Sequence, residues 1–377
     1  MAGPSPGASA PGEDSRLRRA PDSIGVVALL SLALLLVSLS LGTAPLEIAT
    51  GLAVVVGLAV GERRALPLLA PALGVVALLL ASALGGPGAE LVEAFGRSWP
   101  LAPLLAVPML LPRLTAAQVE RLVRAGLLAA LIPVAWAAVE LVRAGASPWD
   151  HPARGPFSHH LTYAYALLPP IAVALHRRSW VALPLVLGIG LAGSSGPLLA
   201  LVVVAVAVWW RPLPALVGGA VLALVLIGLM GGQSELDQRV VLWESGVAVA
   251  LDQPLGAGPL GVREALGIAQ EGLRPGFYFP LHAHDTVLQA AAMAGPAMWL
   301  CWAWLGVSLW RHTGRAGQAA LAALLVGGST QDTFGDLEVV RSFLVWATLL
   351  PVLVVGGARP DAAVATAPGT AATPLTS

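Results

Sequence analysis

The chain has 377 residues, 57% of them hydrophobic and only 11% charged, with zero formal net charge and a mean hydropathy of +0.80. Soluble domains carry about 25% charged residues, so this composition belongs to a polytopic membrane protein and excludes a polybasic nucleic-acid binder. All 21 basic residues are arginine, asparagine is absent, and the one cysteine, Cys301, excludes any disulfide within the chain.

Residues 1–23 are rich in Pro, Gly and Ser and carry Arg16, Arg18 and Arg19. They read as a disordered cytoplasmic tail, and no small-residue cleavage site ends the run as a signal peptide would require. The membrane domain is expected over 24–358, and 359–377 reads as a second low-complexity tail. A span needs about 20 apolar residues. Candidates fall near 24–42, 46–60, 66–84, 99–112, 122–142, 161–175, 181–193, 197–210, 213–231, 286–310, 316–333 and 342–357. The expected fold is therefore all-α, a polytopic helical bundle of about 12 transmembrane helices. Gly193-Ser194-Ser195-Gly196-Pro197 breaks the 181–210 run into a hairpin rather than one long helix.

Arginine placement tests this topology. With the N-terminus inside, cytoplasmic segments hold Arg63, Arg64, Arg113, Arg121, Arg124, Arg177, Arg178, Arg211, Arg311, Arg315 and Arg359 besides the three in the tail. The other side holds Arg97, Arg143, Arg154, Arg239, Arg263, Arg274 and Arg341. The excess has the direction of the positive-inside bias, and fusing 181–210 into one span would reverse it downstream. The one large hydrophilic interval, 232–285, then faces away from the cytoplasm. It also breaks any two-fold repeat of the kind many transporters carry.

That interval and its flanks hold the candidate chemistry. Arg239 and Trp243 stand four apart and share a helix face. Arg239 offers a permanently charged fork for a diphosphate, or an interfacial anchor beside Trp243. PLGAGPLG, 254–261, is a turn. Arg263 and Arg274 lie in hydrophilic sequence, where solvation accounts for them equally well.

At the end of the interval His282-Ala283-His284-Asp285 precedes an apolar helix, with Asp285 as its N-cap. The helix dipole disfavours an imidazolium at His284, so a neutral ring is available as a general base, and the same helix end suits a phosphate oxyanion. The plain alternative makes His282 and His284 interfacial polar residues. No third ligand stands near them for a metal, and none is expected. Arg154 and His159, in RGPFSHHLTYA, sit at the outer end of the sixth span and are candidates to line the same cavity. Asp332, close to hydrocarbon, pairs with Arg341 or serves a site.

Three segments, RGPFSHHLTYA, Arg239 through Trp243 to PLGAGPLG, and HAHDTVLQAAAMAG, resemble in order the motifs of the O-antigen ligase and polymerase superfamily of membrane glycosyltransferases. The resemblance covers 154–295. It implies a polyprenyl-diphosphate-linked glycan as donor at the extracytoplasmic face of the bacterial inner membrane, with membrane lipids as surroundings. The acceptor is a hydroxyl of lipid A core for a ligase, another lipid-linked glycan for a polymerase, or a protein hydroxyl for a third branch. His284 and Arg239 are then catalytic, as base and as stabiliser of the leaving diphosphate. Arg154, His159, His282, Asp285 and Arg263 bind substrate, and no cofactor, metal or nucleic acid is required. The chain departs from the pattern at Asp285 and Leu161, where Asn is usual, and at Ser195, where Ser-Arg-Gly is frequent. The alternatives are a transporter of lipid-linked sugar and a degenerate member lacking activity.

Overall fold

The computed structural model describes residues 23–62, 68–84, 88–230, 232–277, 279, 283, 285–328 and 337–356. Among them the protein is all-helical, without strands. Three helical stretches are long and apolar enough to cross a membrane by length and composition: Thr43–Val60, Gly88–Arg113 and Ala116–Ala144.

Local sequence sets the boundaries. α1 (Ser23–Ser38) and α2 (Thr43–Val60) are joined by a turn at Gly42. α3 (Leu69–Ala83) is followed by α4 (Gly88–Ser98) and α5 (Pro103–Leu110), joined through the short 3₁₀ turn Trp99–Leu101. α6 (Ala116–Ala129) opens with a capping box in which Thr115 and Gln118 satisfy each other's backbone N–H groups. Pro133, without an N–H, falls in the first turn of α7 (Leu131–Ala144), where the long segment breaks. α7 ends on Gly145 in the left-handed conformation, a helix stop that glycine adopts without strain.

α8 (His160–His176) is buried on every side from Thr162 to Ala174. An apolar helix buried all round is a core element, and α8 packs against α10 (Ser195–Trp209), α16 (Arg315–Gly328) and α17 (Leu337–Gly356). The expected break in 181–210 is present, but α9 (Ala182–Gly190) has only nine residues. At 1.5 Å per residue it is about 14 Å long, well short of a ~30 Å hydrocarbon core. The 148–157 segment meets the end of α9: Ala153 donates to Leu191 O at 3.0 Å and is fully buried.

The 232–285 interval is largely helical too. α11 (Pro212–Met230) leads to α12 (Gly232–Asp252), and α13 (Val262–Leu273) follows the glycine-rich turn. The expected 286–310 helix is two helices, α14 (Thr286–Ala294) and α15 (Ala297–His312). Gly295-Pro296 separates them, because Gly295 has φ +83° and proline cannot donate back into α14.

The bundle has two distinct ends. At one, Arg113 Nε donates to Val60 O, Arg177 pairs with Glu120 and Arg315 donates to Trp210 O. These contacts gather the C-terminal ends of α2, α8 and α10 with the N-terminal ends of α6 and α16. At the other, Thr43 donates to Glu338, Arg341 Nη1 lies 2.6 Å from Glu47 Oε1 and Gly42 packs on Pro156 O. α12–α14 join this second end through Leu260, whose N–H donates to Glu90 at 3.0 Å. Between the ends, Leu30, Ile48, Val55, Leu58, Leu183 and Leu300 are exposed, apolar surface that suits hydrocarbon rather than water.

The second end places irregular backbone beside apolar helices, and Glu140 of α7 answers part of its demand. One oxygen, Oε2, accepts from Arg154 N at 3.2 Å and Gly155 N at 3.1 Å. Glu140→Ala leaves the part-buried Gly155 N–H unmet and should cost about 1–2 kcal/mol, whereas Glu140→Gln keeps an acceptor and costs less. Thermal melts in detergent check this: equal melting temperatures for Glu140→Ala and wild type would refute it.

Candidate functional site

The site is built where α12 crosses the start of α14. Gly246 of α12 faces this contact: a Cβ placed there would lie 3.1 Å from both Ala283 Cβ and Leu288 Cβ. The buried stripe of α12 continues through Leu242, Ser245, Val249 and Ala250. Arg239 lies seven residues before Gly246, nearly the same angular position and about 10 Å along the axis. Arg239 and Trp243 therefore share a helix face as their spacing predicts, and both are half-buried.

The N-terminus of α14 is closed in the expected way. Asp285 accepts from Val287 N and Leu288 N, both at 2.8 Å. Burial pushes the Asp285 carboxyl above its usual range, opposed by these two backbone bonds. His284 and His282 lie outside the described residues, but the chain around them is pinned. Ala283 is buried and its N–H donates to Gln289 Oε1 at 2.8 Å. Phe279 exchanges two bonds with the Gln270 amide, donating at 2.7 Å and accepting at 3.0 Å. These two glutamines position the segment, and only Gln289 stands in a sequence motif. Gln270 is one polar residue of a hydrophilic helix, with no signal in the sequence to mark it.

The glycine-rich turn is a packing device. Gly256 and Gly258 have φ +76° and +78°. The turn straps onto the end of α14 through Ala257 N to Ala292 O at 2.9 Å and Gly258 N to Met293 O at 3.0 Å. A Cβ on Gly256 would sit 2.2 Å from Met293 O, so only glycine fits. Glu90 braces the far side of the turn. Arg263, at the start of α13, is exposed.

Arg154 and His159 stand at the same end of the bundle but in another setting. Arg154 is exposed, and its loop is held by α2, α7 and the end of α9. His159 caps α8, its Nδ1 accepting from Leu161 N at 3.3 Å, with its ring 4.1 Å from that of His160. Burial, then the neighbouring His159, holds His160 below its ordinary value. The described contacts thus pack α12 against the start of α14 at Gly246 and strap the turn onto the end of α14, with Arg239 about two turns along α12 from that contact. They place Arg154 and His159 nearby without joining them to α12 or α14. Ser195 is exposed at the start of α10. Asp332 lies outside the described residues; among them Arg341 pairs with Glu47.

An apolar cavity of about 440 Å³ reaches the start of α14. Thr286, Val287 and Trp299 line one end of it, and Leu213, Leu309 and Trp310 the other. From Trp299 to Trp310 it follows α15 for about 16 Å. No cluster of three or more metal-ligating side chains occurs among the described residues. Compared with known protein families and with curated proteins, the chain matches none.

Asp285→Asn isolates the buried carboxylate, since both side chains cap helices. The raised folded-state value means that wild type loses stability as pH rises from the unfolded value of about 4 through the folded one. Asn does not titrate. The melting-temperature difference should therefore shift in favour of Asp285→Asn as pH rises from 4 towards 7. A flat difference across that range would show that burial exerts no net charge penalty.

Proposed function

We propose that the chain is a membrane glycosyltransferase of the O-antigen ligase type, transferring a glycan from a polyprenyl-diphosphate carrier to an acceptor hydroxyl. In this proposal the chain crosses the bacterial inner membrane about 12 times and exposes α12–α14 on the extracytoplasmic face. One observation carries the reading beyond the motif resemblance: the apolar cavity ends at the N-terminus of α14. Hydrocarbon on one side and a helix N-terminus on the other suit an amphiphile with a long tail and an anionic head.

The acceptor oxygen attacks the sugar C1 and forms the new glycosidic bond. The bond from C1 to the carrier phosphate breaks, and its electron pair leaves on the lipid diphosphate. The hydroxyl proton goes to the His284 imidazole, and the Arg239 fork meets the charge growing on the phosphate oxygens. Arg263, Arg154, His159 and His282 are assigned to substrate binding, with Asp285 fixing the helix end beside His284. The end of the bundle that holds this site is rich in carboxylates, so a polyanionic donor depends on these cations for its affinity. A polymerase of the same superfamily shares every step and differs in the acceptor.

The test is transfer from a polyprenyl-diphosphate-linked glycan to lipid A core in detergent, with and without a metal chelator. Wild type should give core-linked product whether or not chelator is present. His284→Ala and Arg239→Ala should each reduce transfer at least 100-fold while expression and membrane insertion stay unchanged. Longer lipid-linked chains without core product would identify the polymerase. Near-normal transfer by His284→Ala would remove the base assignment, and no product from intact donor would favour transport of the lipid-linked sugar.

A further inference from the structure

The two ends of the bundle differ in charge far more than the arginines alone reveal. The end opposite the candidate site carries Arg113, Arg121, Arg124, Arg177, Arg178, Arg211, Arg311 and Arg315. Against them, among the described residues, stand only Glu62 and Glu120. Glu120 is already engaged by Arg124 at 2.9 Å and Arg177 at 2.9 Å. No carboxylate occurs between 160 and 234 or between 286 and 331, the stretches that supply most of this surface.

Its centre is formed by two turns and a helix start. Arg178 closes α8 with φ +53°, the one non-glycine described residue at positive φ. That conformation turns the chain toward the exposed Trp180. On the neighbouring turn Trp209, Trp210 and Arg211 follow one another between α10 and α11. Arg315 donates to Trp210 O and so joins this turn to the start of α16. Trp180, Trp209 and Trp210 are 70%, 70% and 66% exposed, unusual for so large an apolar side chain. Arg178, Arg211 and Arg311 are exposed and form no ion pair among the described residues. His176, beside them, is held below its ordinary value by burial and then by Arg315 and Arg177, a sign of crowded positive charge.

We propose that this surface is a binding site for anionic phospholipid headgroups, with Arg178, Arg211 and Arg315 meeting the phosphate and Trp180, Trp209 and Trp210 seated at the boundary with hydrocarbon. Charge complementarity selects the partner. An unneutralised arginine cluster ringed by exposed indoles, next to an apolar belt, matches a negatively charged leaflet and offers a zwitterionic one little. A free phosphate would use the arginines and leave the indoles without a role. The site rests on the chain's being a membrane protein and is independent of the glycosyltransferase reading.

Lipid retention by the full chain, measured by native mass spectrometry after equilibration in mixed micelles, tests it. Phosphatidylglycerol should be retained about 100-fold over phosphatidylcholine, about fivefold for each of Arg178, Arg211 and Arg315. Arg178→Asn with Arg211→Gln should lower that preference by about fivefold per arginine. Both positions are exposed, and Asn tolerates positive φ, so folding should be unaffected; a thermal melt verifies this. Arg143→Gln with Arg274→Gln, both exposed and at the other end, should leave the preference unchanged. Ten millimolar inorganic phosphate should not displace the lipid. Equal retention of the two lipids, equal losses in both double variants, or displacement by free phosphate would overturn the proposal. None of these readouts depends on glycan transfer.

Discussion

Irregular backbone at the end of an apolar bundle is only partly reached by water, so many of its N–H groups find an acceptor within the protein. In this chain much of that demand falls on carboxylates. Glu140 receives two N–H groups of the 154–155 turn, Glu90 one from the turn at Leu260, Asp285 two at the start of α14, and Glu271 one from Gly276. A carboxylate accepts several bonds at once and forms stronger ones than a neutral group. That capacity lets one end of an otherwise regular bundle carry turns, a short helix and a helical hairpin. The acid-rich character of this end is, in the first place, structural.

The same arrangement separates what the sequence could disclose from what it could not. Apolar runs located many of the helices, though not α4, α12 or α13, because length and hydropathy are properties of a segment by itself. The cap at Asp285 and the shared face of Arg239 and Trp243 were legible for the same reason, being rules of local spacing. The break at Gly295-Pro296 was also written in the residues, yet an unbroken span through 286–310 is what hydropathy favours. Composition averaged over 25 residues conceals two that change direction. The contact of the 148–157 segment with the end of α9 is a tertiary fact that neither segment discloses by itself.

Pairings over long separations were not legible. Glu47 with Arg341, Glu90 with Leu260 and Glu140 with Arg154 each join elements that only the packed bundle brings together. A lone acidic residue inside an apolar helix was the available signal, since a charge near hydrocarbon has to be partnered or hydrated. It marks Glu140 within LIPVAWAAVELVRA and Glu47 within TAPLEIATGLAVVVGLAV. Gln270 shows the converse. A neutral amide in a hydrophilic helix carries no such flag, although it holds Phe279 from both sides.

The unequal charge of the two ends bears on how the chain enters a membrane. In the proposed orientation the arginine-rich end stays on the side that an energised membrane holds negative. Carrying one unit of negative charge across 100 mV towards the positive side releases about 2.3 kcal/mol. The carboxylates of α4, α7 and α12–α14 therefore gain from the field as they translocate, while the arginines of the opposite end would lose by following them. In that orientation the asymmetry would let the membrane potential favour one direction of insertion. The acceptors that complete the backbone at this end would then also help to carry it across.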